Sequence, residues 1–235
     1  MADLSIHSIR GVAEVEPGAD VAEVIGDAIA AGESSLLDGD VVVVTHKIVS
    51  KAEGRIVELE DDGPDSHRHL IDEEAVSIVR RRGDLVIAET KHGFICANAG
   101  IDRSNAGPAR AILLPVDPDR SANRIRLRLI DRFGADIAVI ITDTFGRAWR
   151  RGLVDVAIGV AGMAAISDLR GQVDDFGKVL EVTEVATADE IAAAADLVMG
   201  KATRIPAVIV RGAPWAPATT GITPLIRPPA EDLFR

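Results

Sequence analysis

The chain of 235 residues has no tyrosine, two tryptophans and five phenylalanines. A core built on aromatic rings is therefore excluded. Its apolar residues, 47% of the total, must pack as an aliphatic interior. The single cysteine, Cys96, rules out an internal disulfide and a Cys-only zinc site, and it suits a reducing compartment. A lone thiol of this kind reads first as a small buried hydrophobe. No apolar stretch reaches the roughly 18 residues needed to cross a bilayer. The longest, 153–166, is interrupted by Asp155. The opening Met1-Ala-Asp-Leu lacks the basic and apolar regions of a secretory leader. These absences predict a cytoplasmic protein with no membrane partner. Lysine is scarce too: arginine makes up most of the 26 cations, and 37 carboxylates outnumber them to leave a net charge of −11. That balance excludes a general nucleic-acid binder, whose footprint is basic. It still permits anionic metabolites, provided cations cluster locally and a metal neutralises the remainder. Also missing are a Walker A loop, a G-x-G-x-x-G dinucleotide fingerprint, H-E-x-x-H and G-x-S-x-G. Any nucleotide site must be of an uncommon type.

What is present alternates between strand and helix patterns, so the fold class is α/β in a mixed α+β arrangement. No repeat or linker divides the chain, which reads as one module over 1–235 with at most two intimate lobes. Strands are expected at 4–9, 41–44, 85–88, 94–97, 111–114, 137–141, 179–185 and 207–210. Asp20 is placed to cap a helix carrying Val21, Val24, Ile25, Ala28 and Ile29 on one face. Residues 66–82 read as an amphipathic helix ending in Arg80, Arg81 and Arg82, and 118–132 as a second helix. The run 154–166 is small and apolar, with Gly159 and Gly162, and suits strand or helix in close packing. Thr187-Ala-Asp-Glu190 fits a capping box for an alanine-rich helix that Gly200 would end. The proline-rich tail, 212–235, should wrap over the body.

The most informative stretch is 135–152. Its β-branched run 137–141 gives way to Thr142, Asp143 and Thr144, then Gly146, then Arg147, Arg150 and Arg151. Carboxylate and hydroxyl oxygens at the end of a buried strand, beside guanidinium groups, suit a hard metal ion and a phosphate. A solvated Asp with surface arginines is the plain alternative. Lys51 and His46 follow the 41–44 strand; Lys51 could meet a phosphate as a point charge, or simply be solvated. The loop 98–107 holds Asp102, Ser104 and Asn105 between Gly100 and Gly107, offering a carboxylate, an amide and close backbone approach.

Four motifs, in order along nearly the whole chain, resemble one family. They are GDVVVVTHKIVSKAEGR at 39–55, AGIDRSN at 99–105, ITDTFGRAWR at 141–150 and TEVATADEIAAAADLVMG at 183–200, with DLF at 232–234 in support. The family is the coenzyme F420-0:L-glutamate ligases, the γ-glutamyl ligases of deazaflavin cofactor synthesis, in their stand-alone form without a C-terminal flavin-binding domain. The resemblance implies that family's mixed α/β fold with two intimate lobes, and an intertwined homodimer. It implies GTP-dependent joining of L-glutamate to coenzyme F420-0, with release of GDP and phosphate, using Mg2+ or Mn2+ together with K+. It assigns Asp102, Asp143 and Thr144 to metal binding. It assigns Val12, Ala13, Glu14, Val15, His46, Lys51, Asn105, Met199, Gly200 and Ala202 to the guanine nucleotide. No catalytic acid or base is assigned.

Two positions depart from the pattern. His46 stands where relatives often have Ser or Thr. Lys201 stands where archaeal members have an amide or carboxylate that helps hold a second metal, and a protonated lysine cannot ligate. The arginines 147, 150 and 151 are candidates for anionic substrate groups on charge alone. The same residues could also serve another acid–amine ligase, a metal-dependent phosphohydrolase, or a nucleotide-binding protein without catalysis.

Overall fold

In the computed structural model, residues 3–233 are described; Met1 and Ala2 of the leader reading, and Phe234 of the closing motif, lie outside them. In chain order the elements are β1 (Ser5–Ser8), α1 (Val21–Ala31), β2 (Val41–Thr45), α2 (His46–Ala52), β3 (Ile56–Glu58), α3 (Arg68–Glu74), β4 (Ala75–Arg82), β5 (Leu85–Thr90) and β6 (Ile95–Ala97). They continue with β7 (Arg110–Ile112), α4 (Pro118–Phe133), β8 (Ala138–Arg147), β9 (Arg150–Ala161), β10 (Ser167–Asp168), β11 (Glu184–Val185), α5 (Thr187–Met199) and β12 (Ala207–Arg211).

A five-stranded sheet in the order β1-β12-β2-β8-β9 forms the body. Only β2 and β8 run parallel; the other neighbours are antiparallel. Val41, Val42, Val43 and Val44 are all fully buried, as are Ile137, Ala138, Val139, Ile140 and Ile141. Continuous β-branched runs of this kind mark strands covered on both faces. Each such side chain contributes about 1.5–3 kcal/mol through burial. A second group of elements holds the β4-β5-β6 sheet, the β3-β7 pair and α3. Two small buried clusters serve it, one around Leu70 and Ala111 and one around Ile71 and Ala88, while Phe94 and Cys96 already join the main core.

The helix signals act as their chemistry dictates. Asp20 accepts from the amides of Ala22 and Glu23 and caps α1. Asp117 accepts from Arg120 N, Pro118 opens α4, and Gly134 closes it at φ 72°. A left-handed closing residue of this kind favours glycine. Ala122, Ile125 and Leu129 form the buried stripe of α4. The helix comes so close to β9 that a Cβ on Gly159 would lie 2.6 Å from the carbonyl oxygen of Pro118.

Several expectations are corrected. The proposed helix over 66–82 is two elements: α3 stops at Glu74 and the chain turns into β4. Residues 75–82 hold three β-branched side chains and pair antiparallel with β5, so cross-strand pairing overrides the helical spacing. The three arginines 80–82 therefore end a strand. β8 does not stop at Thr142 but runs to Arg147, because the antiparallel partner β9 continues the ladder after β2 has left it at Thr45. Of the run 154–166, residues 154–161 are strand, within β9, and 162–166 lie beyond its end. The strand expected over 179–185 shrinks to Glu184–Val185. The capping box does not form: Thr187 lies inside α5, its hydroxyl bonding Ser167 and the Val185 carbonyl, while Asp189 accepts from Ala157 N on β9. The tail wraps as expected, with Ala216 O accepting from Ala164 N, and it also places Ile222 in the main core.

Candidate functional site around helix α2

Parallel pairing of β2 with β8 ends at Thr45↔Thr142. There β2 turns directly into α2, and the next residue of β8 is Asp143. The first two residues of α2 each meet one of the separate carboxylates singled out in the sequence. His46, fully buried, places Nε2 3.2 Å from Asp143 Oδ1. The two atoms are close but not aligned for a hydrogen bond, so His46 Nε2 is a buried polar atom without a hydrogen-bond partner. Its Nδ1 lies 3.3 Å from Ser50 Oγ. Lys47 reaches the other way, with Nζ 2.9 Å from Asp102 Oδ2 and 2.7 Å from Ser104 Oγ.

Burial of Asp102 would by itself raise its pKa; the charge and hydrogen bond of Lys47, with the Ser104 hydrogen bonds, bring it below the ordinary carboxylate value instead. One turn on from Lys47, on the same face of α2, Lys51 pairs with Glu14 of the loop before α1. Helix α2 thus gathers Glu14, Asp102 and Asp143, three carboxylates from well-separated parts of the chain. Asn105 is exposed one residue after Ser104, with φ 57°. Val12, Ala13 and Val15 flank Glu14, and Val15 is buried.

Thr144 is placed differently from Asp143. Consecutive strand residues point to opposite faces. Thr144 Oγ1 donates to Asp155 Oδ1 at 2.5 Å and accepts from Lys201, away from the His46 side. Its hydroxyl is engaged by Asp155 and Lys201. Asp143 Oδ1 instead accepts from the Thr144 amide at 2.7 Å. Lys201 follows Met199 and Gly200 at the end of α5 and places Nζ 3.0 Å from Asp155 and 3.4 Å from Asp196. Burial disfavours its charge, but the hydrogen bond and charges of Asp155 and Asp196 hold its pKa above the ordinary lysine value. Met199 is buried, and its carbonyl accepts from Thr203; Ala202 is exposed. Arg147, Arg150 and Arg151 sit exposed at the β8–β9 turn, where Arg147 donates to the Arg151 carbonyl at 2.6 Å.

Beneath Asp143, the Cys96 thiol is pushed up to about 12, first by burial and then by the Asp143 charge. Beside Phe145 a cavity of about 250 Å³ opens among Phe94, Val156 and Ile226. A larger cleft of about 770 Å³ lies at the far end of β9, near Asp119, Arg126 and Gly162. Neither is lined by Asp102, Asp143 or Lys51.

The oxygens of Asp102 and Asp143 are suitable donors for Mg2+ or Mn2+, ions that keep water and phosphate oxygens in their sphere. Among the described residues, no three His, Cys, Asp or Glu side chains gather as a metal cage. Two carboxylates alone would leave most of the coordination sphere of such an ion to water or phosphate oxygens. Sequence reasoning missed two residues of this arrangement, Lys47 and Asp155. Lys47 had a readable signal, its four-residue spacing from Lys51. Asp155 had only its position as a lone charge in an apolar run.

A family model described as F420-0:Gamma-glutamyl ligase matches residues 11–212. Among curated proteins, the coenzyme F420:L-glutamate ligase of Methanothermobacter thermautotrophicus is 45% identical over 249 aligned residues, covering 99% of both chains. That of Methanopyrus kandleri is 43% identical, covering 99% of this chain and 98% of its own. That of Methanocaldococcus jannaschii is 41% identical, covering 84% and 85%.

Proposed function

The chain belongs to the F420-0:gamma-glutamyl ligase family and is a ligase, and from that premise we propose that it joins L-glutamate to coenzyme F420-0, spending GTP. The product is F420-1, with F420-2 or longer on repeated rounds. The observation that carries this reading is the gathering of Asp143, Asp102 and Glu14 around His46, Lys47 and Lys51 of one helix.

A free carboxylate is a poor acceptor for an amine, since oxide is a poor leaving group. In the proposed route the γ-phosphoryl group of GTP passes to the F420-0 carboxylate, breaking the bond to the β-phosphate oxygen and releasing GDP. The glutamate amine then attacks the acyl carbon, phosphate leaves, and the amine gives up a proton. Little covalent chemistry falls to the protein; positioning and charge neutralisation dominate. Asp102 and Asp143 would hold the divalent cation, Mg2+ or Mn2+. When bound, that ion supplies positive charge to the phosphate oxygens. Lys51 and Lys47 would add fixed charge at the nucleotide end, and Lys51 would have to exchange Glu14 for phosphate. The loop from Val12 to Val15, Asn105 and the segment from Met199 to Ala202 would contact the nucleotide. The exposed arginines at the β8–β9 turn suit the anionic groups of F420-0 and glutamate. K+ dependence, a homodimer and a cytoplasmic location belong to the same proposal.

The test is mass spectrometry of the product after incubation with F420-0, GTP, Mn2+ and L-glutamate. A mass gain of one or more glutamyl residues, with phosphate release that requires both F420-0 and glutamate, is the expected result. GTP turnover indifferent to either acceptor would instead indicate a phosphohydrolase.

A further inference from the structure

Asp155 is the one acidic residue of the buried part of β9, and it takes no part in the chemistry above. It lies across the ladder from Thr144 and is only 4% exposed. Its two carboxylate oxygens are divided between the residues that flank Asp143. Thr142 Oγ1 donates to Oδ2 at 3.2 Å, and Thr144 Oγ1 donates to Oδ1 at 2.5 Å. A carboxylate on one strand thus grips the neighbouring strand at the positions immediately before and after Asp143, from the face opposite to His46. Lys201 Nζ, 3.0 Å from Oδ1, supplies the countercharge without which a buried carboxylate would be costly. Asp196, at 3.4 Å from the same ammonium, ties this group to α5.

The location explains the need. Past Thr142, β8 has lost its parallel neighbour β2 and is held by β9 alone, with a register irregularity between Ile141 and Thr142. Asp143 therefore stands on a stretch of strand whose ladder is incomplete on one side. Side-chain bonds from Asp155 replace the missing constraint. We propose that Asp155, neutralised by Lys201, is a positioning residue that fixes the Thr142–Thr144 segment and thereby aims the Asp143 carboxylate. The proposal rests on the reading of Asp143 as a metal-binding residue. Partners that orient a metal ligand are worth about 10–100-fold in metal affinity.

The experiment measures Mn2+ affinity by electron paramagnetic resonance, with and without GTP, in the full chain and its variants, alongside thermal midpoints and steady-state kinetics. Asp155→Asn, if folded, should weaken Mn2+ binding at least about tenfold and lower kcat, with the KM for glutamate unchanged. Thr142→Val keeps the β-branched shape and removes only a hydroxyl held by Asp155; it should shift Mn2+ affinity in the same direction, and it decides the matter if Asp155→Asn does not fold. In Lys201→Ala, added methylammonium should recover part of the lost Mn2+ affinity, a response that general destabilisation would not show. Wild-type Mn2+ affinity in a folded Asp155→Asn, or in Thr142→Val, overturns the proposal. Asp143→Asn separates the two layers. If it loses Mn2+ while Asp155→Asn does not, only the positioning role fails; if it binds Mn2+ as the wild type does, the metal reading fails and the positioning role with it.

Discussion

Asp143 concentrates several constraints in one side chain: a buried imidazole at 3.2 Å, a backbone amide on Oδ1, and a thiol below whose ionisation its charge opposes. Asp143→Asn keeps the shape and removes the charge. It is expected to lower glutamate-dependent phosphate release by at least about a hundredfold, as loss of a main electrostatic contact does, with an unchanged thermal midpoint; phosphate release at near wild-type rate would remove Asp143 from the mechanism. Cys96 permits a simpler measurement. With its thiol pushed up to about 12, almost no thiolate exists at neutral pH. Native protein should resist a disulfide-exchange reagent at pH 8, and one thiol per chain should react after denaturation. Fast labelling of the folded protein would contradict the burial. The residue types of Asp143 and Thr144 were readable as oxygens interrupting an apolar run. Their separation onto opposite faces follows only from the strand continuing through them, which required β9 as a partner.

At the scale of elements, α2 and the β8–β9 ribbon set the site. The close passage of α4 over β9 leaves no room for a side chain at Gly159. Gly159→Ala should cost about 1–3 kcal/mol through overpacking, read as a lower denaturant midpoint; an unchanged midpoint would mean that α4 moves aside freely. The tie between α2 and the 98–107 loop is electrostatic. Asp102 has its pKa lowered in the fold from an ordinary value of 3.8, so its contribution is present above that value and is lost as pH falls through the lower, folded one. Urea midpoints taken downward from about pH 5 should therefore fall less in Lys47→Met, where the pairing is already gone, than in the wild type. Equal slopes would remove this pair from the acid response. Helix α1 was legible because its cap, Asp20, acts within a few residues of itself. The stretch 66–82 was misread because its helical spacing is real in its first half, whereas its second half is decided by pairing with β5.

At the scale of the whole molecule, several apolar side chains stand in solvent, among them Val76 and Leu85 on the small sheet, and Trp149 and Leu153 on the β8–β9 ribbon. The proposed homodimer would cover such surface. Sedimentation should give twice the chain mass, and Trp149→Glu with Leu153→Glu should shift it toward one chain; an unmodified chain sedimenting singly at micromolar concentration would overturn the dimer. By itself the sequence determined the aliphatic core, the order of most strands and helices, and the family, because burial, capping and contiguous motifs are properties of neighbouring residues. Only the tertiary structure decided that α2 is the hub, that Lys47 pairs with Asp102, and that Asp155 clasps both sides of Asp143. These contacts join residues at least 11 positions apart, and a pairing across such separations is fixed by strand register and helix placement, which no local pattern encodes.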